Sequence, residues 1–228
     1  MTIAENILVL KKQLPEKVRL VAVSKTKPVS ALMEAYQVGQ RMFGENKALE
    51  MVSKQAVMPE DVEWHFIGHL QTNKVKVIAP FVACIHSVDS LRLLCEIDKE
   101  ARKCGRNISC LLQFYIASEE TKFGLDLDEA MELLGSEIFS ALQNITITGV
   151  MGMATFTDDM DQVRNEFRSL RIIFNRLKTA FFQDQPTFRE ISMGMSDDFQ
   201  VAVEEGSTMV RIGSTIFGAR ILQKSMSS

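Results

Sequence analysis

Residues 18–28 read VRLVAVSKTKP, an apolar β-branched run followed by a basic turn and a proline. Period-two alternation places Val21, Val23 and Lys25 on one face and Ala22 and Ser24 on the other. Pro28 interrupts a strand ladder and suits the opening of a helix. The stretch therefore reads as strand, turn and helix start, with a lysine closing an apolar row. Working outward, the same pattern recurs. Strand candidates fall at 18–25, 41–44, 63–68, 83–88, 108–115, 146–151, 190–194 and 209–213. Helical patterns lie between them at 29–39, 46–56, 70–79, 89–104, 127–139, 159–182 and 197–205. Eight strands alternating with helices predict an α/β fold with a parallel sheet, and the count fits a (β/α)8 TIM barrel. An open doubly wound sheet is the alternative.

The clearest helix is the sixth, where Val163, Phe167, Leu170, Phe174, Leu177 and Phe181 recur at spacings of 4, 3, 4, 3 and 4. That is one amphipathic face. It suits a helix covering a barrel better than a coiled coil, which needs a longer heptad run. An extra helix precedes the first strand, with Thr2 and Glu5 in capping-box spacing and Pro15 ending it.

The chain has 228 residues, 46% hydrophobic and 24% charged, enough apolar material for a sizeable core. We read one domain: a helix in 1–15, a barrel in 16–220 and a tail in 221–228. Lys+Arg is 26 and Asp+Glu is 29, so the net charge is 26 − 29 = −3. No nucleic-acid partner is expected from that balance. The longest apolar stretch, 77–85, is broken by Pro80, so no membrane association is expected. The opening MTIAENILVLKKQLP carries Glu5 and no early positive charge, unlike a secretory signal. Cys84, Cys95, Cys104 and Cys110 show irregular spacing without a CxxC pair. Reduced thiols and a cytoplasmic location are expected.

Barrel chemistry gathers at the C-terminal ends of strands. Lys25 fits an amine nucleophile there, since apolar walls or neighbouring cations lower a lysine's pKa; a solvated strand-end lysine is the other reading. Lys27 reads as a solvated loop residue. After the second strand, Glu45 and Asn46 suit a ligand hydrogen bond, while Asn46 equally suits a helix cap. His65 and His69 stand four apart, but Phe66 occupies the place where a zinc helix has Glu, and Gly68 breaks helix; no metal is expected. His86 has no evident partner. Ser196 offers a hydroxyl to an anion or a cap to the next helix, with Asp197 and Asp198 turned outward. Gly213 permits close backbone approach, and the amides near Ser214 and Thr215 suit phosphate oxygens. Arg211 needs an acceptor inside the barrel, either a carboxylate or a ligand atom. A lysine, a serine and a Gly-Ser turn at one barrel mouth suit a ligand with both a carbonyl and a phosphate.

AVSKTKP (22–28), FGEN (43–46), HFIGHLQTNK (65–74), EETKFG (119–124), GMSDD (194–198) and STMVRIGSTIFGAR (207–220) follow in this order. The chain thereby resembles the pyridoxal phosphate homeostasis protein family, whose barrel is of the alanine racemase N-terminal type, fold type III. The resemblance spans roughly residues 18–220. It implies pyridoxal 5′-phosphate (PLP) as cofactor, with Lys25 forming the internal aldimine. It implies that Ser196, Gly213, Ser214 and Thr215 hold the phosphate, that Arg211 meets the pyridine nitrogen, and that Asn46 lies near the ring. Three positions depart from the family pattern. His69 stands where Pro is usual, Lys47 follows Asn46, and QFYIA with Tyr115 replaces a Gln-x-Asn run. Tyr115 is expected to alter one wall of the pocket.

The protein tunes the electron sink that PLP supplies. Arginine is a donor only, so Arg211 would leave the pyridine nitrogen unprotonated and the sink weak. Racemases of this fold add a C-terminal domain with a second acid-base group, and this chain ends eight residues past Arg220. The expectation is a PLP-binding homeostasis protein without robust catalysis, serving PLP and PLP-dependent apo-enzymes. A fold type III racemase or lyase, a class I aldolase-type enzyme and an interaction module are the alternatives. A monomer is expected, with the 159–182 helix as a possible dimer surface.

Overall fold

Each strand pairs in parallel with the next in chain order, and the last pairs back onto the first, closing an eight-stranded barrel. The structure is a computed structural model and describes residues 1–117 and 124–218. The strands are β1 Arg19–Val23, β2 Met42–Glu45, β3 Glu63–Phe66, β4 Cys84–Val88, β5 Ile108–Tyr115, β6 Ile145–Met153, β7 Glu190–Ser192 and β8 Met209–Ile212. The helices are α1 Ile3–Gln13, α2 Val29–Gln37, α3 Ala48–Gln55, α4 Thr72–Ile78, α5 Leu91–Lys103, α6 Leu127–Gly135, α7 Glu137–Ser140, α8 Met160–Phe181, α9 Phe199–Glu204 and α10 Ser214–Phe217. Closure is made by β1 and β8, with Arg19 opposite Met209 and Ala22 opposite Ile212. An open sheet is thereby ruled out. Most of EETKFG, Arg220 and the tail lie outside the described residues.

Local chemistry accounts for the element ends. Thr2 caps α1 in a reciprocal capping box with Glu5. The 127–139 pattern is two helices rather than one. Ser136 ends α6 and caps α7, its Oγ accepting the Phe139 amide at 3.1 Å. The short α10 has no counterpart in the sequence reading, since four residues are too few to show periodicity.

The α8 stripe of Val163, Phe167, Leu170, Phe174 and Leu177 is buried. Phe174 stacks on Phe188 with ring centroids 4.9 Å apart, and Phe182 stacks on Phe188 at 4.2 Å. The apolar face expected to offer a dimer surface is thus turned onto the barrel. No helix among the described residues is long and apolar enough to cross a membrane.

Candidate functional site

Strand β1 stops at Val23, so Lys25 stands in the following turn rather than at the end of the strand. Both flanks of that turn are pinned. Ser24 donates its amide to Gly44 O at 3.0 Å and its hydroxyl to Glu45 Oε1 at 2.6 Å. Thr26 takes a positive φ of 65°, unusual for a β-branched residue. Its amide donates to Glu50 Oε1 at 2.5 Å, which holds the strained turn in place.

One buried cation ties these anchors together. Lys54 Nζ donates to Ser24 O at 2.8 Å and to Glu45 Oε1 and Glu50 Oε1, each at 2.7 Å. Burial pushes the Glu45 carboxyl above its ordinary value, and Lys54 and Ser24 pull against that push. Glu45, which the sequence suggested for a ligand hydrogen bond, is not among the residues lining the mouth cavity, and its Oε1 is taken by Ser24 and Lys54. It lies beneath the lysine turn and positions it.

Asn46 does not cap α3; Lys47 occupies the cap position. The side-chain Oδ1 of Asn46 is buried with no hydrogen-bond partner. That oxygen is available to a donor from a group bound in the adjoining cavity, which Asn46 lines. Gly68 presses close to this residue: a Cβ there would lie 2.5 Å from Asn46 O. The glycine of HFIGH thus serves backbone approach as well as breaking the strand.

Arg211 is buried in the barrel, and its acceptors are not carboxylates. It donates to Ser192 O at 2.8 Å, to Ser192 Oγ at 2.7 Å and to Gly152 O at 3.0 Å. Burial lowers the guanidinium to about 10, and the charge of Asp198 partly offsets the fall. Ser192 in turn lies 3.0 Å from His86 Nδ1, and His86 Nε2 lies 2.8 Å from His65 Nδ1. His86, which the sequence left without a partner, has two.

On the phosphate side, the Gly213 amide donates to Ser196 Oγ at 3.4 Å. Ser196 does not cap α9; the cap position belongs to Asp198, which is buried and accepts the Met195 amide at 2.5 Å. Only Asp197 is exposed, so the two acids do not both turn outward. A Cβ on Gly213 would sit 3.1 Å from Val23 O, a tight contact that glycine avoids. Lys27 is not simply solvated: its Nζ donates to Phe217 O at 2.8 Å and Gly218 O at 3.0 Å, tying the lysine turn to α10. Asn6 of α1 donates to Ile216 O at 3.0 Å and fastens α10 from outside.

These parts meet around one cavity of about 330 Å³ at the barrel mouth. Lys25, Asn46, Ser196, Arg211, Gly213 and Ser214 all line it. Thr215 is not among the lining residues, although it belongs to the same turn of α10. Apolar walls come from Val23, Ile67, Met153, Phe156 and Met195. Tyr115 is not part of this wall, contrary to expectation. His69 and Lys47 line a neighbouring pocket between α3 and α4 instead. The sequence reading missed Lys54, Glu50 and Ser192. Lys54 and Glu50 look like an ordinary i,i+4 surface pair, and only the burial of Glu45 beneath them shows otherwise.

A closed parallel barrel with a lysine, a deep arginine and a serine-glycine turn at its mouth defines an alanine-racemase-type barrel. The family model for the alanine racemase N-terminal domain matches residues 1–221. The alanine racemase of Clostridium difficile 630 is 14% identical with a TM-score of 0.76, over 97% of this chain and 61% of that one, a likeness of fold alone. Two other relatives are much closer in sequence. The pyridoxal phosphate homeostasis protein of Vibrio alginolyticus is 39% identical over 211 residues, 90% of this chain and 88% of that protein. PipY of Synechococcus elongatus PCC7942, solved with PLP bound, is 37% identical with a TM-score of 0.84, over 95% of this chain and 100% of that one. The chain belongs to the pyridoxal phosphate homeostasis protein family.

Proposed function

We propose that this chain, acting as one domain, binds PLP at the barrel mouth and holds it for homeostasis rather than for robust catalysis. The observation that carries this is the convergence of Lys25, Asn46, Ser196, Arg211 and Gly213 on one cavity. The residues fit the group. The orphaned Asn46 Oδ1 offers an acceptor near a ring substituent. Ser196 Oγ and the amides of Ser214 and Thr215, which precede the helix's own hydrogen bonding, suit phosphate oxygens. Lys25, which lines the cavity, would hold the cofactor through its amine at the aldehyde group. When bound, PLP would supply an electron sink.

Two features support holding over turnover. Arg211 has donors only and no proton to exchange near neutrality, so it leaves a ring nitrogen unprotonated. Among the described residues lining the cavity, the ionisable groups other than Lys25 and Arg211 are Lys27 and Asp197. Lys27 is engaged by two carbonyls, and Asp197 is exposed. The recipients would be PLP-dependent apo-enzymes, and the setting cytoplasmic.

The test is the visible absorption spectrum with added PLP, followed by borohydride reduction and peptide mapping. The expected result is a band lost in Lys25→Ala and a reduced pyridoxyl group on Lys25. A colourless protein at saturating PLP would overturn the reading. Rapid Lys25-dependent exchange of an amino acid's α-hydrogen with solvent deuterium would replace holding with racemase-type chemistry.

A further inference from the structure

A second polar cluster lies below the mouth, inside the barrel. A cavity of about 470 Å³ opens at the N-terminal ends of the strands, and Arg19, His65, Cys84, Ser109 and Glu190 help to line it. The register of β3 and β4 places His65 beside Cys84, and His86 follows two residues on along the same face. One ligating atom from each of His65, Cys84 and His86 lies within 4.8 Å of the other two, and all three residues are buried. Among the described residues this is the one such group of metal-holding spacing.

We propose that His65, Cys84 and His86 form a site for a zinc-class divalent ion, with water from the lower cavity completing the coordination. The donor set is borderline-soft and suits zinc. Both imidazoles are neutral because burial holds His65 at about 3 and His86 well below its ordinary value, so lone pairs are available. Zinc–nitrogen bonds of about 2.0–2.1 Å and a zinc–sulfur bond of about 2.3 Å set tetrahedral ligand atoms roughly 3.3–3.6 Å apart. The 2.8 Å contact between the two imidazoles then opens by about half an ångström. Cys84 closes by no more than about 1.5 Å, within the reach of a side-chain adjustment.

The surroundings are arranged for such an ion. A ligating histidine is normally oriented by an oxygen on its other ring nitrogen, and Ser192 Oγ stands 3.0 Å from His86 Nδ1. Ser192 Oγ accepts from Arg211, and its second lone pair suits the Nδ1–H of His86, the tautomer that leaves Nε2 free to bind a metal ion. Arg19, whose charge bears on all three residues, is paired with Glu190 at 2.7 Å, which reduces its opposition to a metal ion; Arg211, whose charge bears on His86, is engaged by Ser192 and Gly152. Burial pushes the Cys84 thiol up to about 12, so it arrives protonated. The sulfur–hydrogen bond breaks as the sulfur–metal bond forms, and the proton leaves to solvent. One proton is released per ion, with no change in oxidation state. The spacing of His65 and His69 concealed this arrangement, because the partner of His65 comes from the next strand.

The test uses the full chain carrying Cys95→Ser and Cys104→Ser, which removes the two thiols outside the core. It is titrated with Co²⁺ by absorption and with Zn²⁺ by equilibrium dialysis. The expected result is one ion per chain, a thiolate-to-cobalt band in the near ultraviolet and one proton released per ion. Cys84→Ser should abolish the band, and Cys84→Ser and His65→Gln should each weaken binding about tenfold or more. Thermal unfolding without metal checks each variant's fold, with Cys84→Ala replacing an unfolded Cys84→Ser. Absence of saturable binding at millimolar free ion would overturn the proposal. So would binding without the thiolate band, or binding that Cys84→Ser leaves unchanged.

Discussion

Replacing Lys54 with methionine tests whether the buried ion pair beneath Lys25 holds the lysine turn. Lys54 and Glu45 side chains are 6% and 0% exposed, so neither charge has water to fall back on. Removing one partner of a buried pair typically costs about 3–5 kcal/mol. For a chain of this size each kcal/mol lowers the midpoint by roughly 2–4 °C, so Lys54→Met should melt about 6–20 °C lower near neutral pH. The cost should depend on pH, with a definite sign. The folded Glu45 carboxyl already lies above its ordinary 4.5. A raised acid contributes its stability below 4.5 and loses it as pH rises through the folded value. Lys54 pulls that value down, so its removal extends the loss to higher pH. The deficit against the parent chain should therefore grow as pH rises above 4.5 and shrink as pH falls below it, where the carboxyl binds its proton folded and unfolded. Thermal unfolding followed by circular dichroism across this range measures it. PLP affinity should fall as well, since Ser24 O and the Glu50 carboxylate that holds Thr26 lose their anchor. A deficit below about 1 kcal/mol would refute the reasoning, because breaking a desolvated pair costs more than that. A deficit independent of pH would also refute it.

Other perturbations follow from the same geometry. Gly68→Ala places a methyl 2.5 Å from Asn46 O, so strain of about 1–3 kcal/mol and displacement of Asn46 are expected, read as a lower midpoint with weaker PLP binding. Arg211→Gln should leave borohydride trapping on Lys25 intact but shift the visible band. It should weaken PLP binding at least about tenfold, the scale of a hydrogen bond to a charged group, as measured by spectral titration. Phe188→Ala removes a ring stacked between Phe174 and Phe182 and should cost about 3–5 kcal/mol in denaturant unfolding, with the mouth cavity unaffected.

The order of elements was legible because it is written in local periodicity. Alternating residues in VRLVAV and the 4-3-4-3-4 stripe of α8 each need only a short window of chain. The mouth residues were legible for a related reason. In a parallel barrel every strand ends at the same face, so Lys25, Asn46, Ser196, Arg211 and Gly213 converge once the strand count is known. Their family resemblance added the cofactor. Local reading failed where a partner is distant in sequence. Glu45 looked like a ligand contact until Ser24 and Lys54, 21 and 9 residues away, claimed its carboxylate. Arg211 left a carboxylate and a ligand atom both open as acceptors, and the folded chain supplies instead the carbonyl and hydroxyl of Ser192, 19 residues off, and a carbonyl 59 residues off. His65 was compared with His69 at helical spacing, whereas the pairing of β3 with β4 set it against His86, 21 residues on. The order of the strands and long helices thus came from the sequence, because neighbours along the chain determine it, and the mouth residues came from strand ends together with the resemblance. Burial and pairing came from the tertiary structure, because they depend on which strands the closed barrel brings side by side.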